Sequence, residues 1–398
     1  MFKSILTVAA VLSVAAPAMA SKARLASLQN AAHLVDTQSI FDNPAKSYLM
    51  GDFATLEFGA TSTASNGANT PENFTTNGGS AGAAVFYGEN AEGGFVKSYG
   101  DAKVGFYMGR KSPFTTRVRS LLGFAGQENP IEFMYGFQAG DMKMAASFNY
   151  SKSDKKVAGG QQKQDAMGLR FGAVATNWDA ALTFGLGSKA TGNAASGFGL
   201  TAADADSEYK GTTGFKLNGG YWFENTYVFA SYYQDGVELS GMTGAGGFAG
   251  VTDAKIEQSQ YEIGVIDTIK ADGMNFFYGV SYLGFTSDDK EDNAAVDAQF
   301  KAEQTMLPFV VGVEADAASW LVLRASVKQN VILGSNKTNG GDSLTNANNT
   351  TVALGAGMKF NKFMLDSTLA AGSVPATAGT GNINANDLMA NASLTYLF

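Results

Sequence analysis

Met142-Lys143-Met144-Ala145-Ala146-Ser147-Phe148-Asn149-Tyr150 puts Met, Met, Ala, Phe and Tyr at every second position, with Lys143, Ser147 and Asn149 between them. Side chains of a strand point to opposite faces in turn, so this stretch carries one apolar face and one wet face. The same period returns downstream. Met167, Leu169, Phe171 and Ala173 alternate with Gly168, Arg170 and Gly172, and Trp178, Ala180, Leu182, Phe184 and Leu186 alternate with Asp179, Thr183 and Gly185. Leu321, Leu323, Ala325 and Val327 stand against Arg324, Ser326 and Lys328, and Val352, Leu354, Ala356, Met358 and Phe360 against Gly355, Gly357 and Lys359.

Composition agrees with a β-rich chain. The 398 residues include 48 Gly, 28 Phe and 15 Tyr, with no Cys. Charged residues are 16% of the chain, below the usual quarter or so, and the formal charge is -8. With 45% hydrophobic residues the chain is too apolar for disorder. The absence of Cys removes disulfide scaffolds, thiol nucleophiles and thiolate metal sites. Nucleic acid is excluded as a partner because no cluster of Lys and Arg exists to neutralise phosphates.

The connections decide between a soluble sandwich and a barrel. Short links at 139–141, 176–177, 224–225, 270–273, 316–318 and 361–362 take turns with long polar stretches near 152–164, 188–208, 237–256, 287–301, 335–349 and 373–385. One trimmed end and one elaborated end is what a barrel crossing an outer membrane requires, since strands of about ten residues span the bilayer with one face to lipid. Strands are expected at 53–61, 80–88, 102–109, 130–138, 142–151, 166–175, 178–187, 209–223, 226–236, 257–268, 274–286, 303–315, 319–333, 350–360, 363–372 and 386–398. The expected fold is all-β: a transmembrane antiparallel β-barrel of about 16 strands. The stretch 80–130 is the weakest, because the link from Tyr87 to Asp101 is long for a trimmed turn and Phe95-Val96 fits either neighbour, so 14 strands are also compatible.

Residues 1–20 combine Lys3, an apolar run from Ile5 to Ala16 and the small-x-small site Ala18-Met19-Ala20, which reads as a secretory signal peptide cut before Ser21. The expected organisation is a leader over 1–20, a helical plug or cap over 21–52 and the barrel over 53–398, located in the bacterial outer membrane. Leu25, Leu28, Ala32 and Val35 recur at helical spacing and predict a helix near 22–35, followed by the turn-forming Asp42-Asn43-Pro44.

Two stretches resemble known families. Leu388, Ala390, Ala392, Leu394, Tyr396 and Phe398 alternate with Asn391, Ser393 and Thr395, and this resembles the closing strand of Gram-negative outer-membrane barrels. The resemblance implies that Tyr396 and Phe398 form the signal read by the barrel-assembly machinery. The run from Asp36 to Ala45, with Asn43-Pro44-Ala45, is similar to the amino-terminal hatch of the long-chain fatty-acid transporter family. That family follows Ala with Gly, where this chain has Lys46, and none of its ligand-binding residues align here.

Catalysis and cofactors find no support. His33 is the only histidine and lies in the expected helix, and no pair of metal-ligating side chains has zinc spacing. Asp204 with Asp206, and Asp288, Asp289, Glu291 and Asp292, read as solvated loop faces that could bridge lipopolysaccharide through divalent ions. The wet face collects Glu57, Lys103, Glu132, Lys143, Arg170, Asp179, Lys216, Glu262, Glu314, Arg324, Lys328, Lys359 and Asp366. Both signs are present, which suits hydrated small solutes. The connection 110–130 is basic and apolar, and by resemblance to general porins it would fold inward, setting Arg117 and Arg119 opposite Glu132 or Glu57. Trp178, Trp222, Trp320, Phe223, Tyr227 and Phe363 flank the short turns, where amphipathic rings favour the membrane interface. The function expected is passive diffusion of small hydrophilic solutes, with a hydrophobic-substrate channel or a structural surface protein as alternatives. Partners are outer-membrane lipid and lipopolysaccharide, and a homotrimer is implied by the resemblance to sixteen-stranded porins.

Overall fold

A computed structural model describes residues 21–58, 91–112, 114, 127–157, 160–191, 207–241, 251–293, 298–330, 335–338, 344–345, 350–374 and 391–398. These residues form sixteen antiparallel strands, each paired with its sequence neighbours, and the last pairs with the first from Phe53↔Leu397 to Phe58↔Ala392. The barrel is therefore closed, which leaves no sheet edge unpaired. Among the described residues no helix is long and apolar enough to cross a membrane.

The first seven strands are Phe53–Phe58, Glu92–Tyr99, Ala102–Met108, Ile131–Ala139, Met142–Val157, Gly160–Val174 and Trp178–Thr191. The eighth has two pieces, Glu208–Gly211 and Gly214–Phe223, and is followed by Thr226–Ser240, Val251–Ala271 and Met274–Asn293. The twelfth, thirteenth and fourteenth are also interrupted: Ala298–Met306 with Pro308–Ala318, Leu321–Asn330 with Ser335–Thr338, and Leu344–Thr345 with Thr350–Phe360. Phe363–Val374 and Asn391–Leu397 complete the circle.

The second strand corrects the expectation over 80–88, a stretch outside the described residues. Phe95 and Val96 belong to a strand of their own, and Gly100-Asp101 turns directly into the third strand. Gly100 has φ +61°, as a two-residue hairpin requires, so the apparent long link is a tight turn. All short turns, the entry at Asp52 and the terminal Phe398 then share one end of the barrel, and Phe398 N–H donates to Asp52 O at 3.1 Å.

Several expected long loops are shorter than predicted because strands continue past the apolar belt. Lys152 to Val157 pairs in register with Gly160 to Asp165, and Asp288 to Asp292 lies within the eleventh strand rather than in a loop. Ladder hydrogen bonds need no lipid, so polar residues extend a hairpin into water as readily as apolar ones extend it through hydrocarbon. Asp204 and Asp206 lie outside the described residues.

The helix over 22–35 is also shorter. It covers Lys22–Ser27, capped by Ser21, and Gln29 and Asn30 follow at φ +59° and +53°. The chain bends there, and two 3₁₀ turns, Ser39–Phe41 and Pro44–Leu49, carry it to the first strand. His33 lies beyond the helix, with its ring edge-on to Phe277 at 4.7 Å.

Candidate functional site: a plugged lumen

Residues 21–52 pack inside the barrel. Leu28 and Ala31 join Tyr227, Phe229, Ile266 and Phe277 of the inner wall in one apolar cluster. Ile40, Phe41 and Met50 join Phe53, Val96, Tyr107 and Met134 in another. Each apolar foothold removes surface from water on both plug and wall, at about 25 cal/mol per Å².

Between these clusters the plug is held by charge. Arg24 sends Nε to Glu314 Oε2 at 2.8 Å and Nη2 to Oε1 at 3.2 Å, a two-pronged pair from plug to twelfth strand. Arg324 of the thirteenth strand reaches the same Glu314 at 2.6 Å and Asp366 of the fifteenth at 2.6 Å. Asp36 of the plug is the third carboxylate, 3.8 Å from Arg24. All five side chains are buried. Two guanidinium groups thus face three carboxylates, and Asp36 is the surplus acid. Burial pushes its carboxyl up to about 7, against the pull of Arg24. Burial among rings also drives His33 down to about 3, with Arg24 adding to the effect.

Asn43 anchors the far side. It is fully buried, its side-chain oxygen accepts from Ala45 N–H at 3.0 Å, and its Nδ2 donates to the carbonyls of Ala173 and Ala180 at 3.2 Å. Gly172 makes this approach possible, since a Cβ there would lie 2.0 Å from Asn43 Oδ1. Lys46, the departure from the transporter-family pattern, forms an ion pair with Asp179 at 3.2 Å, and Asp179 also accepts from Tyr227 OH at 2.8 Å. Lys216 reaches Asp42 at 2.7 Å. Asn43→Ala removes the donor for two buried carbonyls, a loss of about 1–3 kcal/mol. The expected result is roughly tenfold faster labelling of a thiol placed at buried Ser47 in the otherwise Cys-free chain, with the barrel's own unfolding unchanged.

The residues expected on the wet face do point inward. Glu57, Glu132, Arg170, Asp179 and Arg324 are buried, while Lys143 and Lys328 are half-buried on the same inner face. Arg117 and Arg119 lie outside the described residues. Glu132 takes Arg170 as its partner, and Glu57 takes the Gln38 amide at 2.6 Å. The connection after the third strand nevertheless turns inward: Ser112, Phe114 and Gln127 are buried, and Phe114 stacks on Tyr233 of the ninth strand at 5.4 Å. Ser112 and Phe114 line a narrow cleft with Ser147, Asn149, Arg170 and Thr183.

The outer surface has the opposite character. Along the first strand Leu56 and Phe58 are 54% and 56% exposed while Glu57 between them is 2% exposed. Phe133, Tyr135, Phe137, Phe171, Ile263 and Leu323 continue the exposed apolar band around the circle. A band of this kind around a closed sheet has hydrocarbon as its solvent. The fold is that of a membrane-spanning β-barrel.

No family model matches the chain, and no curated protein matches it. Among solved structures, a Pseudomonas aeruginosa FadL homologue is similar at TM-score 0.44 and 13% identity, covering 92% of this chain and 94% of that one. A porin is similar at TM-score 0.37 and 11% identity, covering 87% and 99%. The OmpT protein of Vibrio cholerae is similar at TM-score 0.34 and 12% identity, covering 87% and 96%. Likeness at this level is one of general architecture.

Not all the aromatic residues beside the short turns face lipid. Trp320, Phe223 and Phe363 do, and are well exposed. Trp222 and Tyr227 face the lumen of the barrel instead, packed with His33 and the plug. The two-residue period decides this: Trp222 and Phe223 are neighbours, so one must point in when the other points out. Sequence reasoning also missed Arg24, Asp36 and Lys46. Their signal was charge within the pre-barrel segment: Arg24 and Lys46 take partners far along the chain in Glu314 and Asp179, while Asp36 faces Arg24 inside the segment.

Proposed function

We propose that this barrel is a plug-gated uptake channel, closed at rest, that admits small apolar or amphipathic molecules when residues 21–52 shift. The observation that carries this reading is the bridge from Arg24 to Glu314 and Asp36, with apolar clusters on both sides of it. A sixteen-stranded barrel would otherwise leave an aqueous channel. Inward Leu283, Phe285 and Met306, together with Val237 and Leu239, add buried apolar surface along the ninth, eleventh and twelfth strands. This favours the hydrophobic-substrate alternative over free diffusion.

The second reading, a hydrophilic-solute channel, draws on the mixed charges of the inner face, Lys143 and Lys328 together with Glu262. Purified protein in planar bilayers and liposomes separates the two. A gated channel gives a quiet baseline and no swelling across a sugar series, while cells producing it gain uptake of an apolar test compound. Steady ion steps from the intact protein, with swelling in sugars, would establish the second reading instead.

A further inference from the structure

Glu57 and Glu92 stand directly opposite each other across the first two strands, both turned inward and buried. Like charges directly opposed on one face destabilise a sheet unless cations intervene. Glu92 has two: Lys22 Nζ at 2.6 Å and Arg110 Nη1 at 3.3 Å. Glu57 has the Gln38 amide at 2.6 Å and the backbone N–H of Lys22 at 3.1 Å, and among the described residues it forms no ion pair. A buried carboxylate in that state is costly.

The residue before Lys22 is Ser21. It is fully buried, and its side chain accepts from Arg24 N–H at 3.4 Å. In the sequence Ser21 is also the residue that follows the small-x-small site Ala18-Met19-Ala20. We propose that hydrolysis of the Ala20–Ser21 bond precedes and permits seating of the plug, and that the α-ammonium it creates on Ser21 is the cation of Glu57.

Water adds across the amide, the leader leaves with the new carboxylate, and the Ser21 amine takes up a proton. The geometry supports the pairing. Backbone nitrogens of consecutive extended residues are about 3.5 Å apart, so the new ammonium lies within about 7 Å of the Glu57 oxygen that already holds Lys22 N–H. It also supports the order of events, since Ser21 in the seated plug is buried inside the closed barrel, where a peptidase cannot reach it. The charges facing this amine are Glu57 and Glu92 of the wall, Arg110 of the inward connection and Lys22 of the plug itself. The proposal rests on the plug reading above.

The test uses the mature protein. Intact mass first establishes the starting residue, and a start other than Ser21 overturns the proposal without touching the plug reading, which thiol labelling at position 47 reports separately. The amines are then ¹³C-dimethylated in urea, the protein is refolded in detergent, and the α-amine signal is titrated by NMR. The expected α-amine pKa is at least about 1 unit above its value in urea, and it falls by about that amount in Glu57→Gln. A second variant, with one Ala inserted between Ala20 and Ser21, moves the amine by one residue and loses the same elevation. An α-amine that titrates alike folded and in urea, or alike with and without Glu57, overturns the pairing.

Discussion

Replacing Arg24 by Leu is expected to turn a quiet barrel into a conducting one. Arg24 is the only plug residue that bridges Glu314 and Asp36, and its removal leaves Arg324 alone among Glu314, Asp366 and Asp36. Breaking a buried pair by deleting one partner costs about 3–5 kcal/mol, because the remaining charge stays buried without compensation. Leu fills much of the space with apolar volume, so the loss is one of charge more than of packing. The strand ladders do not involve Arg24, and the cost therefore falls on plug seating and not on the barrel. A population shift of about 3 kcal/mol is roughly 150-fold, so a thiol at position 47 should label at least about 100 times faster. Single-channel recordings should show steps approaching those of a chain lacking residues 21–52 altogether. Arg24→Lys keeps one charge but loses the fork, and should fall between. Equal labelling of Arg24→Leu and the parent would remove Arg24 as the latch.

The fold was largely legible because a lipid-facing barrel repeats one simple rule at every strand. Met142 to Tyr150 alternates in sequence and in space, and Glu57, Glu132, Arg170, Asp179, Glu314, Arg324 and Asp366, read as wet, are buried. The rule failed where its cause was absent. Glu92 to Tyr99 holds two consecutive glycines and a Lys outside the apolar rhythm, so its strand was hidden in an apparent loop. Beyond the belt, Lys152 to Val157 has no lipid to select a dry face, and only backbone pairing reveals it as a strand.

The candidate site was legible from one side only. Glu314, Arg324 and Asp366 could be placed on the wet face by period, but their clustering depends on the register of four strands and on Arg24 reaching across 290 residues. The helical spacing of Leu25, Leu28, Ala32 and Val35 suggested a longer helix, because buried apolar contacts with the wall produce a similar recurrence without helical geometry. Lys46, read as a departure from a pattern, is a specific partner of Asp179. The pre-barrel segment thus encodes its seat in charges whose meaning appears only once the circle of strands closes.

Asp36 and His33 should give the plug opposite responses to pH. For Asp36, burial raises the seated value to about 7 from an ordinary 3.8, so between about pH 4 and 7 the seated plug binds a proton that the released plug does not. Rising pH then weakens seating. His33 is the reverse case: burial lowers its seated value to about 3 from 6.5, so between these limits the released plug binds the extra proton and rising pH strengthens seating. Each group contributes up to about 1.4 kcal/mol per pH unit, and over the shared window the two slopes oppose each other. The parent protein is therefore expected to label at position 47 with little pH dependence from pH 4 to 6.5, after correction for the thiolate fraction measured in urea. Asp36→Asn leaves His33 uncompensated and should label more slowly as pH rises. His33→Phe keeps the ring contacts with Phe277 and Trp222, leaves Asp36 uncompensated, and should label faster as pH rises. Slopes of the same sign in the two variants would mean that these groups do not set the balance, and that the charge count around Arg24 does not govern how the plug is held.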